Sequence, residues 1–539
     1  MANPVSTDVA VIGSGVVGAL VARKLALAGR DVLMLEAGPR IARGEIVVNF
    51  RRSPRKGDFV APYPYAELAP FPIYQPEDNG YLDQLGPYPY KPEYLRVVGG
   101  TSWHWAAQAW RLLPSDFRLR TQYGVGRDWP ISYDDLEPYY YEAEVLWGVS
   151  GPQAMEKYSP RAQPFPMPGV APSYLEQRIA ERLAPQFEVL TNTTGRNSLP
   201  YGGRPQCCGN NNCMPICPID AQYHGGIAVA DAEKAGVKLL AKAVVYKLEH
   251  DARGRITALH YFDWDKVSHR LEAQVFILAA NAIEIPRILF LSADDKFPNG
   301  LCNNNDQLGR HLMDHPSNSA TFYVDEPLWA GRGPMSPASI QTLRDGPWRD
   351  RHAAFRIDFS NSSRVASITA AAIAEGLTGK ALDAAIRDRA AREISIKNVL
   401  EQLPDPNNRV TLSTRKKDAL GLPTPAFSYS FDDYVERGMQ ASLTQYEQIA
   451  RLLGATDIRY SKPGVYGNNQ HITGTLAMGA DPQTSVTDPF GRAWDFENLY
   501  MVSTGVMPTV ATANSTLTAS ALGLRTADAI LGRLKGVGA

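Results

Sequence analysis

Residues 8 to 38, DVAVIGSGVVGALVARKLALAGRDVLMLEAG, constrain the fold more than any other stretch of this chain. A short apolar β-type run enters a glycine turn, a segment with apolar residues at helical spacing follows, and a second strand closes the unit. Gly13, Gly15 and Gly18 occupy the G-x-G-x-x-G positions of that turn. Glu36 ends the second strand 23 residues after Gly13, where an acidic side chain reaches a ribose diol. The start of the helix offers unpaired N–H groups and a positive dipole end to a pyrophosphate. The unit predicts a dinucleotide site in an α/β fold and leaves FAD and NAD both open.

The 539 residues suit either a two-domain enzyme or one elaborated α/β domain. A net charge of -1 gives no basic footprint for nucleic acid, and a 44% hydrophobic content can bury a large core. The start of the chain shows no secretory pattern, and no run nears the ~20 apolar residues of a membrane span. Taken alone, the chain is expected in the cytoplasm, unless a partner carries the export signal.

Residues 45–125 are rich in Pro and Tyr without periodicity and predict a long excursion over the surface. Inside it, VVGGTSWHWAAQAWR at 97–111 predicts backbone lying close against a flat ring. Alternation of strands and helices resumes over 228–291, and residues 318–460 mix short strands with helices near 365–390 and 433–454. The expected architecture is a discontinuous dinucleotide domain, 1–317 with 461–539, and a separate α+β substrate domain at 318–460.

Four of the five cysteines fall within QCCGNNNCMPICPID at 206–220, spaced C-C-x4-C-x3-C-P. Disulfides would be strained by adjacent cysteines and short spacings. A zinc site would lack the usual paired C-x2-C knuckles. An iron–sulfur cluster fits a compact loop ending C-x3-C-P.

In VIGSGVVGALVARKLALAGRDVLMLEAG, RVVGGTSWHWAA, LAANAIEIPRILFLS, LGRHLMDHP, NNQHITGTLAMG and VMPTVATANSTLT, the chain resembles the glucose-methanol-choline (GMC) flavoprotein oxidoreductases nearly end to end. The cysteine loop narrows the likeness to the large subunits of bacterial membrane-associated FAD dehydrogenases for glucose, fructose, sorbitol and related sugars or sugar acids. The resemblance selects FAD and implies a Rossmann-type FAD domain with an antiparallel-sheet substrate domain. It implies that Gly13, Gly15, Gly18 and Glu36 hold the ADP half, that Val245 meets adenine through its backbone, and that Gly99, Gly100 and Thr101 run along the flavin. It makes His471 the base, since a neutral imidazole accepts an alcohol proton at working pH, and Asn514 its partner over the flavin. His104 stands where some members join a histidine covalently to the flavin; the other reading is an aromatic-packed histidine. Ser503 occupies a place where many members carry Asp, while His311 and His315 are expected to be structural.

By the same resemblance the loop holds a [3Fe-4S] centre on Cys207, Cys213 and Cys217, with Cys208 an adjacent spare that sequence does not separate from Cys207. Cys302 is expected to be an ordinary thiol. Implied partners are a sugar or polyol substrate, a small chaperone-like subunit with a twin-arginine export signal, and a multihaem cytochrome c subunit passing electrons to quinone. Together they place the chain at the periplasmic face of the inner membrane, with membrane association through a partner. Rival readings are an oxygen-using oxidase, a lyase with structural flavin and a noncatalytic subunit.

Overall fold

The structure, a computed structural model, describes residues 5–536 apart from 55–58, 73–79, 185, 336–337, 463 and 465. At its centre the strand Val5–Ile12 pairs in parallel with Val32–Glu36 on one side and Ser268–Leu278 on the other. Lys238–Ala241 extends the sheet beyond Val32–Glu36, and Leu499–Met501 joins the end of Ser268–Leu278, both in parallel. The hairpin Val244–His250 and Ile256–Phe262 adds antiparallel strands. Val9, Val11, Val32, Met34, Phe276 and Ile277 are fully buried, which is why the parallel strands are near-continuous apolar runs. Helix Val16–Leu27 packs against Thr516–Gly536 and Gly225–Lys234.

A second sheet runs in the order Thr456–Tyr460, Ser319–Tyr323, Glu393–Leu400, Phe355–Ser360, Ala338–Ile340, Val189–Thr191. Its strands alternate. Phe322, Phe355, Ile357, Phe359, Ile394 and Ile396 share one buried cluster with residues of helices Tyr174–Leu183 and Asp433–Leu452. The opposite face carries Arg356, Asp358, Ser395, Lys397, Ser319 and Thr321 in cross-strand register. The α/β domain and the α+β sheet domain expected from sequence are both present, but the second sheet also takes Val189–Thr191 from outside 318–460. A three-residue strand carries too little pattern to show in sequence.

The aromatic segment differs from its expectation. Tyr63, Phe71, Tyr81, Tyr90 and Tyr94 are buried in one cluster with Val97, Trp103, Ile216, Ile283 and Ile472. Its described part is therefore a packed layer joining the glycine turn at 99–100 to the C-terminal motif, not a surface excursion; residues 55–58 and 73–79 lie outside the described set. Aromatic rings bury large areas without needing helical or strand periodicity.

Candidate active site

The central sheet opens at its C-terminal edge into a groove lined by Gly13, Gly15, Glu36, Gly100, Thr101 and Val245, together with Arg96, Asn281 and Glu284. The three glycines of the first turn have different reasons to be glycine. Gly13 has φ +107°, and a Cβ there would meet Ala279 O at 2.7 Å. A Cβ on Gly18 would collide with Gly13 O, so this position lets the helix lie close on the strand. Gly15 has an ordinary φ of -61°, and a Cβ there would meet no protein atom within 4 Å. Open space at a glycine that the backbone does not require suits a pyrophosphate approaching the chain.

Gly15→Ala, a change at the N-cap of Val16–Leu27, is therefore expected to cost no more than about 1 kcal/mol of stability while weakening FAD binding about tenfold, whereas Gly18→Ala should cost about 1–3 kcal/mol. Thermal unfolding and flavin titration of the two variants separate these outcomes.

Glu36 is buried and accepts from Ser14 N (3.1 Å), Ser14 Oγ (2.7 Å) and Gly38 N (3.0 Å). Burial raises its pKa, opposed by those donors. Ser14 Oγ also accepts from Gly99 N at 3.2 Å, which ties the first turn to the 97–101 segment. Gly99 stands behind the groove with φ +93°, where a Cβ would reach Gly226 N at 2.7 Å. Thr101 Oγ1 accepts from Leu95 N.

At the other end, Asn514 Nδ2 and His471 Nε2 stand 2.8 Å apart. Arg356 Nη2 donates to Asn514 Oδ1 at 2.7 Å, which turns the amide so that its N–H group faces the imidazole. His471 Nε2 is then the acceptor and its proton sits on Nδ1, which is enclosed without a hydrogen-bond partner among the described residues. Burial, and after it the charges of His315, Arg356 and Lys397, hold the imidazole well below its ordinary pKa. His471 is a neutral imidazole with its lone pair on Nε2.

Asp314 fixes the loop that carries His471. It is fully buried, and Oδ1 accepts from the backbone N–H groups of His315 (2.6 Å), His471 (3.0 Å) and Asn469 (3.2 Å), while Tyr90 OH donates to Oδ2. Burial raises its pKa to about 6 despite these donors. His315 stacks edge-on against His471 at 4.9 Å and sits between the carbonyls of Leu400 and Ala513.

Residues 404–523 match the family model described as GMC oxidoreductase, and residues 8–65 match that described as FAD dependent oxidoreductase. The chain is 46% identical to the fructose dehydrogenase large subunit of Gluconobacter japonicus, over 98% of both chains. This chain is a GMC oxidoreductase. It is also 27% identical to 2-methyl-1,2-propanediol dehydrogenase of Mycolicibacterium austroafricanum, over 98% of this chain and 96% of that one. Among solved structures, formate oxidase of Aspergillus oryzae shares the fold with a TM-score of 0.68 and 14% identity, over 99% of this chain and 100% of that one. As a GMC oxidoreductase the protein is an FAD-dependent enzyme acting on CH–OH donors.

The remaining expected residues of this GMC oxidoreductase lie behind the 99–101 turn or away from His471 and Asn514. His104 is buried, which lowers its pKa to about 4, and Nδ1 lies 3.3 Å from Phe59 O. Donation from Nδ1 leaves a lone pair on Nε2. Trp103 stacks on His224 at 4.0 Å, His224 Nε2 meets Asp220 Oδ1 at 2.8 Å, and Asp220 N donates to Cys217 O. The cysteine loop thus lies one aromatic stack away from the glycine turn.

All four loop thiols are free, with Cys208 exposed, Cys213 buried, and Cys207 and Cys217 half-buried. Burial raises the pKa of Cys207, and Cys213 and Cys217 are close enough to add to that rise. No three ligating side chains among the described residues stand close enough to hold a single metal ion. Cys302 is a buried core thiol. Ser503 caps a short turn by accepting from Gly505 N at 3.0 Å, and His311 pairs with Arg127, away from Asn514.

Sequence reasoning missed Asp314, Arg356 and Lys397. Asp314 stood inside the LGRHLMDHP block, and the other two are charged residues at alternate positions of FRIDFS and EISIKNVL, which marks the polar face of a half-buried sheet.

Proposed function

We propose that this chain is the catalytic subunit of a dehydrogenase oxidising a secondary alcohol or hemiacetal of a sugar, polyol or sugar acid. The observation that carries the reading is the polar sheet face: Arg356 reaches Asn514 from it, and Lys397 reaches the loop of His471. A simple alcohol has no use for such a face, whereas a hydroxyl-rich ligand does. The likeness to a fructose dehydrogenase large subunit points the same way.

The substrate hydroxyl approaches the edge that Asn514 Nδ2 and His471 Nε2 share and replaces the 2.8 Å hydrogen bond between them. It gives its proton to Nε2, and the Asn514 N–H donates to the oxygen as it gains alkoxide character. FAD, when bound, supplies the acceptor for the hydride leaving the carbinol carbon. The chain's own residues hold the oxygen, remove the proton and keep the imidazole neutral beforehand. Gly15 and the groove around it suit the ADP half, and Gly99, Gly100 and Thr101 the flavin; the lone pair of His104 suits either covalent attachment or simple packing.

For the [3Fe-4S] centre, the donor set fits. Cys213 and Cys217 both stand within electrostatic reach of Cys207 while Cys208 is exposed, and a cluster bridged by its own sulfides holds thiolates further apart than one ion does. The centre would carry electrons singly toward a cytochrome c subunit and quinone. No helix among the described residues is long and apolar enough to cross a membrane, so in this reading attachment at the periplasmic face comes through a partner, and export through a small subunit.

The test is co-expression with the small subunit, iron analysis, electron paramagnetic resonance, and anaerobic addition of fructose, sorbitol, glucose and ketogluconate. Flavin bleaching with one of them, together with loss of an oxidised three-iron signal, is expected. Cys208→Ser should keep the iron, while Cys213→Ser should lose the signal and slow reduction of the cytochrome, with flavin bleaching retained. Absence of iron with peroxide formed in air would make the protein an oxidase.

A further inference from the structure

The strand Glu393–Leu400 lies inside the six-stranded sheet, between Ser319–Tyr323 and Phe355–Ser360. Lys397 sits in that strand opposite Asp358 and Ser319, and it is nevertheless exposed. The protein around it strips part of the water from the ammonium and lowers its pKa, so this sheet face looks into a walled space and not onto the outer surface. Two contacts identify that space. Lys397 Nζ donates to Asn469 Oδ1 at 2.7 Å, and Asn469 lies two residues before His471 in a loop fixed by Asp314. The cross-strand neighbour Asp358 is hydrogen-bonded to Arg356 Nε (2.8 Å) and Nη2 (3.2 Å), and Arg356 holds Asn514.

The Asp358 carboxylate is therefore engaged by Arg356, and Lys397 makes no ion pair within 4.0 Å among the described residues. An ammonium has three N–H donors. One is used on Asn469, which leaves two for a ligand in the space bordered by the reacting pair.

We propose that Lys397 is the specificity-determining residue of this site, donating to a second oxygen of the substrate while His471 and Asn514 hold the reacting one. The assignment rests on the sugar or polyol reading above. It predicts a preference that is expressed in binding: a site built to hydrogen-bond a second hydroxyl rejects the analogue that lacks it. The chemical step itself, proton to Nε2 and hydride to the flavin, needs no contribution from Lys397.

The experiment uses the FAD-loaded holoenzyme and anaerobic stopped-flow reduction by fructose, sorbitol, glucose and ketogluconate. With whichever of these bleaches the wild type, Lys397→Met is expected to raise KM about 10- to 100-fold, the range of a hydrogen bond to a charged group. Its saturated reduction rate should stay within about threefold. Lys397→Arg should recover part of the loss, and among the monodeoxy derivatives of that substrate one should penalise the wild type but not Lys397→Met further. The flavin spectrum and melting temperature of each variant verify that the fold is intact. An unchanged KM in Lys397→Met, or a collapse of the saturated rate with KM unchanged, overturns the assignment alone. A wild type that bleaches with none of the four removes the underlying reading, and the assignment with it.

Discussion

Replacing His471 by Ala is expected to leave FAD bound and to slow anaerobic flavin reduction by about 10²- to 10⁴-fold, the usual worth of a positioned general base. The arrangement that argues for this is specific. Arg356 orients the Asn514 amide, the amide presents N–H to Nε2, and the base therefore holds its lone pair at the atom a substrate hydroxyl would reach. The pH dependence follows from the lowered pKa of His471. A histidine depressed by burial and by neighbouring positive charge is already neutral at pH 7, so the wild-type rate should stay level through the neutral range and fall only below the ordinary imidazole pKa of ~6.5. The same depression works on stability. The unfolded chain takes up the proton before the folded one does, so the stability associated with a neutral buried His471 is present above ~6.5 and is lost as pH falls toward the folded pKa. A His471→Ala protein that reduces its flavin within about threefold of the wild-type rate would remove this residue from the reaction.

The dinucleotide half of the molecule was legible because its requirements are local. Gly13, Gly15 and Gly18 are close in sequence, and the turn, the open approach and the helix contact each act within a few residues. Glu36 was readable for the same reason, at the end of the next strand. His471 and Asn514 stood out through their motifs, and the fold brings their side chains together although no periodicity connects them. What could not be read was the support behind them. Asp314 works by gathering backbone N–H groups from a loop more than 150 residues away, and Tyr90 reaches it from the opposite direction. The orientation of Asn514 depends on Arg356, whose relation to it arises only when the second sheet closes over the first domain. Lys397 and Asp358 are neighbours only through sheet register. The strand Val189–Thr191 joins that sheet across a gap that no local pattern spans.

Arg356 carries the second large effect, and it separates positioning from chemistry. The guanidinium is 2% exposed, donates to the Asp358 carboxylate through Nε and Nη2, to Thr512 O through Nη1 and to Asn514 Oδ1 through Nη2, and lies 4.9 Å from the Trp110 ring centre. Arg356→Met leaves Asp358, 7% exposed, without its partner. Removing one member of such a buried pair should cost about 3–5 kcal/mol of stability. The double variant Arg356→Met with Asp358→Asn removes the stranded charge and should recover most of that loss, as thermal unfolding will show. It should not recover activity. Without the guanidinium, nothing holds Asn514 Oδ1 away from His471, the amide can present its oxygen instead, and the imidazole then moves its proton to Nε2 to satisfy it. The base would carry its proton at the reacting atom. Flavin reduction in the double variant is therefore expected to remain about 10²- to 10³-fold slow, the cost of losing one preorganised donor. Loss of a positive neighbour also raises the pKa of His471, so the acid limb of the rate profile should move upward. Arg356→Lys distinguishes charge from geometry: it restores the acid limb, because the charge is back, but not the rate, because one ammonium lacks the planar fork that serves Asp358 and Asn514 together. If the double variant regains wild-type rates along with its stability, Arg356 is a structural ion-pair residue and the orientation of Asn514 is set elsewhere.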